Sequence, residues 1–579
     1  MPYGISNYKE IINLNAYYVD KTKYIELLEQ RERYLFFVRP RRFGKSLFVS
    51  MLETYYDIHE KENFDKYFGS LYIGQNKTKD ANKYLILKLD FSTVITEQGS
   101  DMIIKSFDEK VVNSVSSFMQ KYKDIYKKDL PQDKNNAIFA LEYLISQTKL
   151  LNKQIYMLID EYDNFANNIM SSDKENYESL MHKGGYVRTF YKTIKFGTGE
   201  GVITKAFITG VTPIMLDDVT SGANMFTQLA LNENFNSMLG LTEEEIEKII
   251  KSYKLDKITD TKELKKTLRI YCDGYKFNKE SKKGLYNTDM AIYILKSLVQ
   301  DKKYPDEIID ANIKTDYKRL RNIAEKIISK EELVKIIEKN EIGELQIKER
   351  FNLESLYDET EAYTNTRSLL YYLGMLTISG KEENGVTLKI PNIAIRELYF
   401  EYITKIYNVE ATVKYDKLKS AMKEMRLNKN LQPILEQYKL LLNNLSNNDL
   451  KDYDELTSKI LFISLLYMDG IYLLESERQA NGGRTDLYVK ENFIYKEHVK
   501  YRYIIEFKHI KMSEIKGDAI KETKEEILAK NKDKIESLKK EAQKQIDEYI
   551  KDYNVINDSE KELEKCIIIT IGQKYVLHC

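Results

Sequence analysis

The sequence predicts an α/β protein: a parallel sheet covered by helices, then a largely helical stretch, then a second α/β unit. Three observations carry this. Apolar runs at residues 34–38, 84–91, 155–160 and 206–211 alternate with long helix-prone segments, the pattern of parallel strands buried on both faces. From residue 241 to about 410 the chain becomes mostly helical and polar-faced. Beyond residue 453, an apolar helix, a strand pair, a strand of period two, a long charged helix and a strand at 567–572 follow one another. The segments expected are 1–235 for the first domain, 236–410 for a helical lid with a winged-helix-like part, 411–452 for a helical connector and 453–579 for the last domain.

Composition narrows the partners. The 579 residues hold 90 basic and 90 acidic side chains, so no global field draws in nucleic acid and any such contact is local. Cys272, Cys566 and Cys579 lie far apart in sequence, without metal-ligand spacing, which suits a reducing compartment. Neither a signal pattern nor an apolar run of membrane-spanning length occurs, so a cytoplasmic protein without membrane contact is expected.

In the first domain, residues 15–33 form a lead-in, Asn15 to Thr22, and a helical pattern; it fits a segment beside a bound base or an ordinary capped helix. The strand at 34–38 runs into Arg39-Pro40-Arg41-Arg42-Phe43-Gly44-Lys45-Ser46 and a helix, the context of a P-loop. Its backbone N–H groups, with Gly44 at the bend, would face phosphate oxygens; Lys45 adds a charge at the β and γ phosphates, and Ser46 can ligate magnesium. Arg39 stands where the motif usually has glycine. The arginines at 39, 41 and 42 either brace the loop, face a nucleotide or a second subunit, or form a solvated collar.

The strand at 155–160 ends in Asp160 and Glu161, acids suited to holding magnesium and polarising the water that attacks a γ-phosphate. The strand at 206–211 ends in hydroxyls, of which Thr209 is the candidate phosphate sensor; a strand-end turn punctuated by Gly210 and Pro213 accounts for them as well. Arg188 is a guess at an arginine finger. In the middle region Thr242 and Glu245 form a capping box, and the motifs at 271–277, 369–377 and 388–392 read as core and turns.

After a polar, helix-prone connector ending in a turn-rich run at 443–449, Glu455 opens an apolar helix. A hairpin follows, turning at Asn481-Gly482-Gly483 with Asp486 on its second strand. Period two then puts Glu506 and Lys508 on one face of the next strand and Phe507 on the other. Asp486 and Glu506 can hold magnesium or manganese, with Lys508 orienting water or neutralising phosphate; exposed strand charges would give the same isolated pattern. In a helix at about 517–550, Leu528, Ile535, Ala542 and Tyr549 recur every seven residues, and Gln545 and Tyr549, one turn apart, should face the metal site or a phosphate.

These motifs together resemble the bacterial and archaeal AAA-ATPase-like proteins that carry a C-terminal PD-(D/E)XK nuclease-superfamily domain. The matching strings are YVDKT at 18–22, RPRRFGKS at 39–46, LIDEYD at 158–163, ITGVT at 208–212, YCDGYKF at 271–277, LLYYLGMLT at 369–377, GRTD at 483–486, IIEFK at 504–508 and AQKQI at 542–546. The resemblance implies a P-loop NTPase domain of the additional-strand class and a restriction-endonuclease-like α/β domain with Glu455, Asp486, Glu506 and Lys508 as its active-site set; Arg39 is a variation that the family shares. A lysine-rich insertion after Lys508, and Lys459 where relatives often have histidine, are departures expected to leave the metal ligands untouched.

The expected activity is ATP binding and hydrolysis controlling a magnesium- or manganese-dependent DNA nuclease, in a chain able to form a homo-oligomer. The alternatives are a regulatory ATPase scaffold whose nuclease-like domain only binds nucleic acid or a partner protein, and a nuclease with a vestigial P-loop.

Overall fold

The computed structural model describes residues 1–579 apart from 97–98, 173, 182–183, 216–224, 317–324, 326–327, 340, 357–361, 446–452, 481–482, 518–520 and 552–558, and gives the backbone only at 170–172, 174, 176, 477–480 and 483–484. Two compact units result, one of residues 1–328 and 341–393, the other of residues 329–340 and 394–579. Neither division coincides with breaks near 235, 410 or 452.

The first unit is built on five parallel strands, β1 (Tyr34–Val38), β2 (Leu85–Asp90), β3 (Ile155–Asp160), β4 (Ile203–Gly210) and β5 (Thr227–Gln228), in the order β2-β3-β4-β1-β5. Strand β3 is buried throughout and β1 is buried beyond Tyr34, as strands covered on both faces must be. Because β4 lies between β1 and β3, the loop after β1 and the acids after β3 open at the same sheet edge, separated by the end of β4. This is the crevice beyond the strands' carboxyl ends where α/β sheets bind ligands. Helix Lys45–Tyr56 starts directly from the loop and buries Phe48, Met51, Leu52, Tyr55 and Tyr56.

The rest of this unit is mainly helical. The capping box forms as read, with Glu245 N–H donating to Thr242 Oγ1 (3.2 Å) and Thr242 N–H to Glu245 Oε2 (2.8 Å). On either side of helix Ala362–Tyr372 in the chain, strands β6 (Ile342–Glu344), β7 (Thr377–Glu382) and β8 (Gly385–Lys389) make a small antiparallel sheet, ordered β6-β8-β7.

The second unit carries β9 (Tyr472–Ala480), β10 (Gly483–Glu491), β11 (Tyr501–Ile510), β12 (Glu562–Ile571) and β13 (Tyr575–His578), in the order β13-β12-β11-β10-β9. Only β11 and β12 run parallel. The hairpin turn at 481–482 and the run at 446–449 lie outside the described residues. Beyond the strand expected at 567–572, β13 adds an antiparallel edge. The long charged helix is two, Lys524–Lys530 and Lys532–Tyr549. Its apolar side meets Tyr488, Ile504, Ile567 and Ile569 of the sheet.

The segment expected as a connector is part of this unit's core. Helix Tyr415–Asn428 buries Leu418, Met422 and Met425, and helix Gln432–Asn443 buries Ile434, Tyr438 and Leu442. Tyr503 Oη donates to Met425 O at 2.6 Å, and Tyr438 Oη to Ser458 O at 2.8 Å. The polar surface of these helices hides an apolar stripe that lies on β11 and on helix Glu455–Tyr467.

Candidate functional sites

Gly44 has φ +94°, a left-handed backbone that glycine adopts without penalty, and Arg42 also has positive φ, at +71°. These turns aim the chain into helix Lys45–Tyr56, whose first amides have no intrahelical acceptor. A cavity of about 470 Å³ opens here, bounded by residues 43–48 and by Glu161, Leu241 and Asp289. Tyr17, Tyr18 and Val19 of the lead-in also line it. Asp20 and Thr22 fix that segment: Asp20 accepts from Thr22 N–H (2.9 Å) and Tyr72 N–H (2.7 Å), and Thr22 Oγ1 accepts from Ile73 N–H (3.1 Å). Lys21 reaches Glu245 Oε2 of the capping box at 2.8 Å.

Lys45 Nζ donates to Arg39 O and Pro40 O, both at 3.2 Å, and lies 3.7 Å from Glu161 Oε1. Asp160 is 1% exposed. Burial, and next the charge of Glu161, push its carboxyl up to about 6 against the Ser46 hydroxyl, which hydrogen-bonds to it, and the Lys45 charge. A buried carboxylate beside a serine hydroxyl is a hard-oxygen donor pair that fits magnesium.

The three arginines divide. Arg39 is 1% exposed and braces the loop: Nη1 donates to Ala230 O (2.7 Å) and Val38 O (3.1 Å), Nη2 to Phe235 O (3.1 Å), and the guanidinium lies between the rings of Phe37 and Phe277, 4.3 and 4.1 Å from their centroids. Burial pulls it down to about 10. Arg41 and Arg42 converge on Asp316, at 2.8 and 2.6 Å, and Arg42 also meets Asp289 at 3.3 Å. A solvated collar therefore describes none of them.

Two of the sequence assignments change here. Thr209 Oγ1 is buried and donates to Phe37 O at 2.7 Å, so this hydroxyl ties β4 to β1 and is spent on the sheet. Arg188 sits half-buried on helix Tyr186–Gly199 and is not among the residues that line the cavity. A role that sequence reasoning missed belongs to Asp163. Fully buried, it accepts from Val211 N–H (3.0 Å), Thr212 N–H (2.7 Å), Thr212 Oγ1 (2.9 Å) and Asn167 Nδ2 (2.7 Å), and so joins the end of β3 to the end of β4. The signal was present in the paired strings LIDEYD and ITGVT. Gly210 makes the approach possible, because a Cβ there would stand 2.2 Å from Asp163 Oδ1 and 2.5 Å from the Tyr162 ring. Gly210→Ala should therefore lower stability by about 1–3 kcal/mol, as overpacking does. Native-state hydrogen exchange of the β4 amides measures this, and unchanged protection would contradict the close approach.

In the second unit, β10 and β11 pair from Val489–Tyr503 to Leu487–Ile505, and at the next position acidic side chains take over. Asp486 Oδ2 accepts from Phe507 N–H at 2.8 Å, and Asp486 N–H donates to Glu506 Oε1 at 3.1 Å. The two carboxylates are thus aimed by main chain. Burial, then the charge of Asp486, holds Glu506 well above the usual carboxylate range. Burial also raises Glu455, with Asp486 adding to it and Lys508, the His509 backbone and Lys459 opposing. Burial pulls Lys508 down, but Glu455, Asp486 and Glu541 outweigh it, so its ammonium sits above the ordinary lysine value. A cavity of about 420 Å³ runs past Asp454, Glu455, Lys459, Asp486, His509 and Glu514.

The donor set fits a divalent cation. Asp486 and Glu506 are hard-oxygen ligands held together against their own repulsion, which positive charge relieves. Among the described residues, no group of three or more His, Cys, Asp and Glu side chains has the arrangement of a metal cluster, so the pair would share a cation with other oxygens.

The long helix contributes differently from expectation. Tyr549 is fully buried in the apolar core with Ile504, Ala542 and Ile546. The heptad stripe that suggested an inward-facing tyrosine is the packing stripe itself. Gln545 is half-buried, its Oε1 shielded and without a hydrogen bond among the described residues. Glu541, one turn earlier, reaches Lys508 at 3.3 Å. The departure at Lys459 also touches the site, contrary to expectation, because its Nζ lies 3.6 Å from Asp486 Oδ1.

The comparisons divide along the same lines. The family model described as predicted AAA-ATPase matches residues 2–220, and that of the PD-(D/E)XK nuclease superfamily matches residues 453–578. A curated relative, an uncharacterized protein in the vnfD 5′ region of Azotobacter chroococcum mcd 1, is 24% identical over 255 residues, which are 43% of this chain and 44% of the relative; the chain thus matches less than half of that protein's length. Of solved structures, the Aeropyrum pernix ORC2 protein in ADPNP and ADP complexes is similar over 67% of this chain and 93% of its own, at 12% identity and TM-score 0.33. The Aeropyrum pernix ORC1 protein in complex with DNA is similar over 67% and 95%, at 10% identity and TM-score 0.27. No described helix is long and apolar enough to cross a membrane. The chain joins a predicted AAA-ATPase region, residues 2–220, to a PD-(D/E)XK nuclease superfamily region, residues 453–578.

Proposed function

We propose that the chain is a metal-dependent nuclease acting on DNA, with ATP binding and hydrolysis in its first unit setting whether cleavage proceeds. The observation that carries this reading is the fork between β10 and β11, where the Phe507 N–H holds Asp486 and the Asp486 N–H holds Glu506, while Lys508 follows on the same face as Glu506. In this mechanism Asp486 and Glu506 hold the cation, Lys508 draws charge from the phosphate, and Glu455 with Glu541 keeps that lysine charged. A bound divalent cation supplies Lewis acidity and an activated water. In the first unit, Gly44, Lys45 and Ser46 are the phosphate cradle, Ser46 and Asp160 the magnesium donors and Glu161 the group that polarises water.

Cleavage of duplex, single-stranded and branched DNA, with magnesium or manganese and with or without ATP, tests the reading. Cutting that needs the metal and changes with ATP supports it, and Lys45→Ala should remove the ATP response. Cleavage indifferent to Lys45→Ala would leave a nuclease without nucleotide control. Binding of DNA without any cutting would favour a scaffold.

A further inference from the structure

Helix Glu455–Tyr467 brings two residues one turn apart to the second unit's site, Glu455 and Lys459. Lys459 is 5% exposed, and an ammonium is costly to hold in such a place unless anions surround it. Its Nζ lies 3.6 Å from Asp486 Oδ1, while the other oxygen of that carboxylate is occupied by Phe507 N–H at 2.8 Å. Both oxygens of Asp486 therefore already have a positively polarised partner. The site holds a second lysine besides Lys508, on a different element and with its charge inside the constellation.

We propose that Lys459 supplies the positive charge of a second metal ion, so that the site takes one divalent cation. The inference rests on the nuclease reading and deepens it. With Glu455, Asp486, Glu506 and Glu541 ionised and both lysines charged, the six groups sum to a formal minus two. One divalent cation then brings the site to neutrality, whereas two cations leave it with an excess of two positive charges. Without Lys459, a single cation leaves it one charge short, and a second becomes easier to accept. In a half-buried site such charge imbalance is weakly screened. The ammonium is tethered and needs no concentration of its own, so the requirement for free metal falls to that of one ion.

The test is a manganese titration of the full-length chain without nucleotide, in an Asp160→Asn background that removes the first unit's carboxylate ligand, with free manganese followed by its electron paramagnetic resonance signal. One ion bound per chain is expected, lost in Glu506→Gln. Adding Lys459→Met should raise the stoichiometry to two, and Lys459→Arg should return it to one. Lys459→Gln serves as a second neutral variant if the methionine chain does not keep its far-ultraviolet circular dichroism. Two ions in the background chain, or one ion unchanged in both neutral variants, would overturn the role of Lys459 while leaving the nuclease reading standing. Failure of the background chain to bind any manganese would sink both.

Discussion

Replacing Arg39 with alanine should cost the first unit about 3–4 kcal/mol, within the range for breaking a buried charged network. The side chain supplies donors to four backbone carbonyls, Val38, Ala230, Phe235 and Asn236, and fills the space between Phe37 and Phe277. Alanine leaves those carbonyls without a donor and opens a void between two rings. Native-state hydrogen exchange is the suitable measurement, because a single unfolding free energy is poorly defined for a chain of two units. Protection of the β1 amides should fall by about 10²–10³-fold, at about 1.4 kcal/mol per tenfold. Arg39→Met restores the volume between the rings without the donors and should recover only part of the loss. Unaltered protection in Arg39→Ala would show that the guanidinium does not brace the loop.

The second large effect concerns Lys508. On the nuclease reading, Lys508→Ala should reduce cleavage by about 10²–10³-fold, the loss seen when a group stabilising transition-state charge is removed. Asp486 and Glu506 keep their backbone partners in that variant, so metal-dependent thermal stabilisation should persist while turnover collapses. Glu506→Ala should abolish both. Equal traces of cutting by wild type and Lys508→Ala would mean that the activity comes from elsewhere. The combination of measurements separates loss of the cation from loss of the charge that acts beside it.

Much of this architecture was legible in the residues because hydrophobic periodicity and turn chemistry are local. The strands at 34–38 and 155–160, the capping box at Thr242 and the facing of Glu506 and Lys508 follow from spacing within one element. What was not legible depends on which elements meet. The lysine spacing of helix Tyr415–Asn428 reads as a solvated connector until Met422 and Met425 find a sheet to cover. The hydroxyl of Thr209 looks available for phosphate until the neighbouring carbonyl of Phe37 claims it. Tyr549 and Gln545 sit on a helix whose facing was read correctly, but the stripe leads Tyr549 into the apolar core, and Glu541 is the helix residue that reaches Lys508. Arg39 shows the same limit: no local rule says that an arginine in a glycine's place will be wholly enclosed.

The fork at Asp486 has an evolutionary consequence. Its carboxylate accepts the Phe507 amide through one oxygen, a task that the side-chain carbonyl of asparagine performs equally well. Asp486→Asn would therefore surrender the negative charge on which a cation, and the ammonium of Lys459, depends, while keeping the hydrogen bond that joins the two strands. On the nuclease reading, a lineage of such chains can cross from cutting to mere holding in a single step, and the reverse step is just as short.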